Sequence, residues 1–261
     1  VSSNVVISDE QAYERTIPSV TIKDLAHWGQ YAGAAYDNFE EWDTCGKCQI
    51  TETLRHTSLN TTWSTALPAF SRGYIGVNHR LRQVIVAFRG TTHIMDVLAD
   101  AQVTQTQWPA HISGSGVHFG FLLAYLSARQ TVQAAVQALM ADLAGYSVTF
   151  VGHSLGGAQA VLGFVDYCQR AECGGNAGLV TFGAPRVGNQ PFAQHVNSLL
   201  PSDRLWRVVH ASDMVAHLPQ SLLGRYVHSD REVWVNDGNI TVCEPSPEDH
   251  ADGGPHGLPG D

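Results

Sequence analysis

The stretch YSVTFVGHSLGGAQAVLGFV, Tyr146 to Val165, decides the fold. An apolar run rich in β-branched residues stops at Gly152, one serine follows among glycines, and a helix-like run opens at Leu155. A short apolar run closed by glycine reads as a buried strand, and the longer run after it reads as a helix. Gly152-His153-Ser154-Leu155-Gly156 therefore matches G-x-S-x-G where strand turns into helix, the setting that pattern requires. So tight a corner strains its central residue, and only small side chains two positions away on either side let the backbones pass. The result is a Ser154 hydroxyl lifted to the top of a sheet, beside the positive end of a helix. The plainer alternative is a glycine-rich turn with an incidental serine. His153 points elsewhere on such a turn and reads as structural.

Working outward, QVIVAF at 83–88 is a second buried-strand signature, and 120–144 has strong helix formers with apolar i, i+3, i+4 spacing, ended by Gly145. Further strands are expected at 179–182 and 204–209, helices at 23–40 and 191–200, and a hairpin joining 233–235 to 240–242 through Asn236-Asp237-Gly238. Strands alternating with long helices imply an α/β fold with a central, mostly parallel sheet flanked by helices. With no repeat and no Pro/Gly/Ser linker, residues 1–261 read as a single domain, with 244–261 an irregular tail.

The composition is 44% hydrophobic and 15% charged, which suits a globular chain. No apolar run approaches the ~20 residues that cross a bilayer, so no integral membrane segment is expected. A net charge of −9 repels phosphate backbones and disfavours a nucleic-acid partner. Val1, with no Met and no apolar leader, suggests a processed or trimmed product. Asn60-Thr61-Thr62 and Asn239-Ile240-Thr241 fit the N-glycosylation pattern. Cys45 and Cys48, like Cys168 and Cys173, are spaced for short-loop disulfides in an oxidising compartment; in the cytosol Cys45-Gly-Lys-Cys48 is spaced for a redox pair. No second pair has zinc-ligand spacing, so no metal is expected. Secretion to the extracellular space is the favoured reading. Cys243 is left over.

An unaided serine is a poor nucleophile; it needs a base, an orienting carboxylate and donors for the developing oxyanion. In the α/β-hydrolase order, serine, then acid, then histidine, Asp213 is the best-placed acid, because it follows the strand signature RVVH and falls at a strand's C-terminal edge. Asp166 lies mid-helix and Asp203 precedes its strand. An aspartate after a strand also serves ordinary turns.

These residues resemble the class 3, fungal-type lipases. VAFRGTT (Val86–Thr92), VHFGF (Val117–Phe121), FVGHSLGGA (Phe150–Ala158), TFGAPRVGN (Thr181–Asn189), DMVAHLP (Asp213–Pro219) and YVHSDREVW (Tyr226–Trp234) are similar to successive signatures of that family, and WDTCGKC (Trp42–Cys48) resembles an early short disulfide of some members. The resemblance implies an α/β-hydrolase with Ser154 as nucleophile, Asp213 as acid, and Thr91 and the Leu155 amide as oxyanion donors. Asp100 matches an aspartate that braces the oxyanion residue, while His118, His217 and His228 fall at structural positions. The stretch after Thr91 resembles a lid helix near 92–100: Ile94, Val97 and Leu98 share a face, Met95 flanks it, and Asp96 and Asp100 lie opposite. Such a face would cover the site in water and open at an oil–water interface. A helix packed permanently on the core is the alternative.

The third triad member departs from the family pattern. The tail offers His250, preceded by an aspartate but early, and His256, better spaced but with poorer neighbours; His256 is the expected base. The cysteine expected to pair with Cys243 does not follow, so a truncated or remodelled tail is expected. The resulting expectation is a monomeric, cofactor-free serine hydrolase of lipid or other esters, foremost a triacylglycerol lipase. An esterase for feruloyl or other soluble esters is the alternative, feruloyl esterases being close relatives of the family. A lipid-binding homologue without its base is the alternative of another class.

Overall fold

The computed structural model describes residues 20–37, 39, 52–66, 70–91, 94, 104–170, 173, 175–199, 204–220, 225–229 and 232–243. Helix α1 (Ile22–Ala34) begins at a reciprocal capping box, with Asp24 N–H donating to Thr21 Oγ1 and Thr21 N–H donating to Asp24 Oδ2. A one-turn helix α2 (Glu52–Arg55) precedes an antiparallel run of strands β1 (Thr57–Ser64), β2 (Arg72–Asn78) and β3 (Gln83–Phe88). A two-stranded ribbon, β4 (Gln105–Gln107) and β5 (Gly116–His118), leads into helix α3 (Phe119–Asp142). Then come β6 (Ser147–His153), α4 (Leu155–Arg170), β7 (Ala177–Phe182), α5 (Gln190–Leu199), β8 (Leu205–His210), and the hairpin β9 (Glu232–Asn236) and β10 (Asn239–Cys243).

The main sheet has eight strands in the order β1-β2-β3-β6-β7-β8-β9-β10. β3, β6, β7, β8 and β9 run parallel, and the outer pairs are antiparallel. Every parallel strand thus ends on one edge of the sheet, where crossover folds assemble their sites. α3 packs one face through Phe121, Tyr125, Ala128, Val132 and Val136, joined there by α4 and α5. The other face is covered by α1 through Leu25, Trp28, Tyr31 and Ala32, against Tyr74, Ile85, Val151 and Val180.

The 83–88 strand and the elbow follow the sequence closely. α1 stops short of its expected end because Tyr36 N–H bonds Gly33 O and Asp37 N–H bonds Ala34 O, three-residue turns that close the helix. α3 ends at Asp142, capped by the Leu143 N–H on Leu139 O, and Gly145 (φ +79°) serves the turn after it. The late hairpin turns through Asp237 (φ +48°) and Gly238 (φ +80°), the two left-handed residues that a tight two-residue hairpin needs. β1 and β2 escaped the sequence reading. Residues 244–261 lie outside the described residues.

Candidate active site

Ser154 occupies the corner between β6 and α4 with φ +56°, a left-handed conformation that a non-glycine residue adopts only under constraint. Its N–H donates to Phe182 O at 2.9 Å, extending the β6–β7 pairing through the corner, and its carbonyl accepts from Gly157 and Ala158 N–H. The turn is closed enough that a β-carbon on Gly156 would come 2.8 Å from Arg89 C and strike the Phe88 carbonyl, and one on Gly152 would come 2.7 Å from Gly157 N. Here both flanking glycines are sterically required. Ser154 is 4% exposed, and its Oγ has no hydrogen-bond partner among the described residues. Leu155 opens α4, so its N–H has no carbonyl one turn earlier in the helix.

The loop after β3 closes against this corner. A β-carbon on Gly90 would lie 2.5 Å from His153 O and 3.2 Å from Ser154 Cβ, and Thr91 follows directly, half-buried. Asp213 lies beyond β8 and caps a short 3-10 turn, Met214–His217, accepting from Val215 N–H through Oδ1 at 3.0 Å. Its Oδ2 faces Gly183, the residue after β7, where φ is +51° and a β-carbon would collide with that oxygen. Asp213 thus spends Oδ1 on its own turn and keeps Oδ2 against Gly183. Thr91, Ser154, Gly183 and Asp213 follow four neighbouring parallel strands, which brings them together on one edge.

Two side chains that the sequence reading left without a specific site task steady the Asp213 turn. His228 Nε2–H donates to Ala216 O at 2.6 Å. Arg186, 2% exposed, donates through Nη1 to Pro219 O at 2.9 Å and also to His217 O. Desolvation holds the His228 imidazole well below its usual pKa, with the Arg207 and Arg186 charges acting the same way, so it stays a neutral donor. His217 is shifted down too, first by desolvation and then by Arg186. His118, 0% exposed, caps α3 by accepting from Phe121 N–H, and burial pushes its pKa down to about 4. The signal for Arg186 was available in TFGAPRVGN, which carries it just after β7.

Other expected positions divide as follows. Ile94 is buried in the core cluster that holds Leu155 and Val187. Met95, Val97, Leu98, Asp100, Cys45, Cys48, His250 and His256 lie outside the described residues. Cys168 and Cys173 form a disulfide with Cα atoms 4.9 Å apart. Asn60 and Asn239 are exposed on β1 and β10, the two outermost strands.

A model of the class 3 lipase family matches residues 85–222, from β3 through the Asp213 turn. The chain belongs to the class 3 lipase family. Its α/β-hydrolase sheet and elbow are those of this family's structures: a crystal structure of a lipase from Rhizopus microsporus var. chinensis superposes with a TM-score of 0.77 at 31% identity, covering 86% of this chain and 78% of that one. Among curated relatives, the lipase of Rhizomucor miehei is 34% identical over 207 residues, 77% of this chain and 54% of the relative. The secreted mono- and diacylglycerol lipase A of Penicillium camembertii is 28% identical over 240 residues, 89% of this chain and 76% of the relative. This lipase-family chain thus spans about half the length of the Rhizomucor relative.

Proposed function

We propose that the protein is a serine carboxylic ester hydrolase acting on acylglycerols, with Ser154 as its nucleophile. The observation that carries the reading is the buried Ser154 hydroxyl, held at φ +56° without a hydrogen-bond partner among the described residues, against the loop that bears Thr91. Ser154 Oγ attacks the ester carbonyl and gives its proton to a histidine of the C-terminal segment, His256 or, failing that, His250. Asp213 orients that imidazole and stabilises its cationic form. The Thr91 N–H and hydroxyl and the Leu155 N–H donate to the tetrahedral oxyanion. The alcohol leaves with the proton returned by the histidine, and water then releases the acyl group from Ser154 by the reverse sequence.

An acylglycerol at a lipid–water interface is favoured by where apolar side chains meet solvent. Phe119, Leu123 and Leu126, 53%, 36% and 40% exposed, lie at i, i+4 and i+7 on α3. α3 is the crossover helix into β6, so its first turns lie at the same sheet edge as Ser154. Met214, 57% exposed, directly follows Asp213. With a net charge of −9, the surface that suits this rim is uncharged lipid. Ile94, with Met95, Val97 and Leu98, would belong to a lid over the site. Secretion fits the Cys168–Cys173 disulfide and the secreted Penicillium relative.

Two assays test the reading. Hydrolysis of tributyrin should rise steeply once the ester exceeds its solubility; turnover confined to soluble aromatic esters would replace the acylglycerol assignment with a soluble-ester one. A fluorophosphonate probe should label the wild type and not Ser154→Ala. A wild type that binds lipid emulsions but never takes the label is a binding protein, not a hydrolase.

A further inference from the structure

The turn that closes α1 reaches the catalytic edge. Tyr36 places its hydroxyl 2.8 Å from Nδ1 of His153, with the two rings edge to face at a centroid distance of 5.7 Å. The same hydroxyl accepts a hydrogen bond from the Gly90 backbone, and the Arg89 guanidinium stands over the phenol ring at 5.6 Å. The hydroxyl has one proton to give and two lone pairs to accept with, so the His153 tautomer sets the direction of its bond to Nδ1. A neutral imidazole that accepts at Nδ1 carries its proton on Nε2. That nitrogen borders Gly183: a β-carbon there would sit 3.7 Å from His153 Nε2 and against Asp213 Oδ2.

We propose that Tyr36 is a positioning residue whose hydroxyl ties the Gly90–Thr91 loop to the His153–Ser154 elbow and fixes His153 with its Nε2–H toward Asp213. The proposal rests on the ester-hydrolase reading of Ser154. The phenol sits between the residue before Thr91 and the residue before Ser154, so it sets the spacing between oxyanion donor and nucleophile from outside both loops. That spacing matters because a misplacement of about 1 Å can cost roughly 100-fold in rate. His153 suits a neutral link: desolvation lowers its pKa, while the Asp213 charge pulls the other way and aligns the Nε2–H. Burial raises the Tyr36 phenol, so it remains a donor across the pH range of ester hydrolysis.

Tyr36→Phe removes the hydroxyl and keeps the ring against Arg89 and His153. On a soluble p-nitrophenyl ester, kcat should fall about 10-fold while KM stays within about twofold. Fluorophosphonate labelling of Ser154 should slow by the same factor, with the melting temperature held within a few degrees. The ring-nitrogen NMR spectrum of His153 should show Nε2 protonated and Nδ1 accepting in the wild type, with the Nδ1 signal moving in Tyr36→Phe. An unchanged kcat, or a loss explained entirely by a smaller folded fraction, would overturn the proposal. So would a wild-type His153 protonated on Nδ1. If the wild type neither labels nor hydrolyses, the ester-hydrolase reading fails by itself, and the nitrogen spectrum still decides whether the Tyr36 link exists.

Discussion

Asp166 on helix α4 and Ser154, the residue just before that helix, are buried polar side chains that meet opposite fates. Toward the helix's C-terminal end, the Asp166 carboxylate, 1% exposed, receives Arg129 Nε at 2.7 Å, Arg129 Nη2 at 2.8 Å and the Tyr125 hydroxyl at 2.5 Å. Gln133 Nε2 then donates to the Tyr125 oxygen and to Gly163 O. At the head of the helix, Ser154 is almost as buried, yet its hydroxyl has no partner among the described residues and its backbone is strained. Burial without a partner costs free energy, so such a group persists where something else requires it. The paired carboxylate holds the fold together; the unpaired hydroxyl stands where the proposed reaction needs its nucleophile.

Mutations can break or sharpen this contrast. Ser154→Ala should lower hydrolysis by about 10⁴-fold or more while unfolding free energy changes by less than about 1 kcal/mol, because no hydrogen bond to a described residue is lost. Hydrolysis assays paired with urea titrations check both halves.

Acid should attack the scaffold before it attacks the elbow. Burial lowers the His118 pKa from its ordinary 6.5 to about 4. The unfolded chain therefore binds more protons than the folded one between those values, and stability falls as pH drops through that window. It is fully present above pH 6.5 and loses up to about 3 kcal/mol by pH 4, since protonating Nδ1 removes the α3 cap. His118→Asn, which keeps a capping acceptor, should flatten this part of the urea-midpoint profile.

Gly183→Ala tests whether Asp213 belongs with Ser154. The new methyl would displace Asp213 Oδ2 and crowd His153 Nε2, so kcat should fall about 100-fold at a stability cost of about 1 kcal/mol. Steady-state kinetics with a thermal melt separates the two. Asp166→Asn is the converse: it should cost about 2 kcal/mol in urea unfolding and leave kcat per folded molecule intact. That figure lies below the ~3–5 for a fully enclosed pair because the Arg129 side chain is 38% exposed and stays hydrated.

What the sequence disclosed follows the same division between local and distant causes. The β6–Ser154–α4 corner was legible because strand, turn and helix lie in one continuous run. Asp213 was legible because it follows an apolar strand, and the parallel register of β6, β7 and β8 then carries it to the Ser154 edge. β1 was not, because its TSLNTTWS run is largely polar and becomes a strand only once Trp63 packs onto Phe88. Gly73 and Gly76 interrupt the apolar signal of β2, which is nevertheless buried along almost its whole length. The link from Tyr36 to His153 joins residues 117 positions apart, and no periodicity or spacing rule reaches that far. His153 itself reads as scaffold from its turn, which fits its observed contact but conceals what it touches.

Asn60, at the bulge of β1 between Leu59 and Thr61, and Asn239, the first residue of β10, bracket the eight strands. Seven inter-strand steps of about 4.8 Å separate the outer strands, roughly 34 Å before twist is counted. A pair of spin labels at these two positions would act as a ruler laid across the protein. Its reading would report whether all eight strands stand side by side in solution.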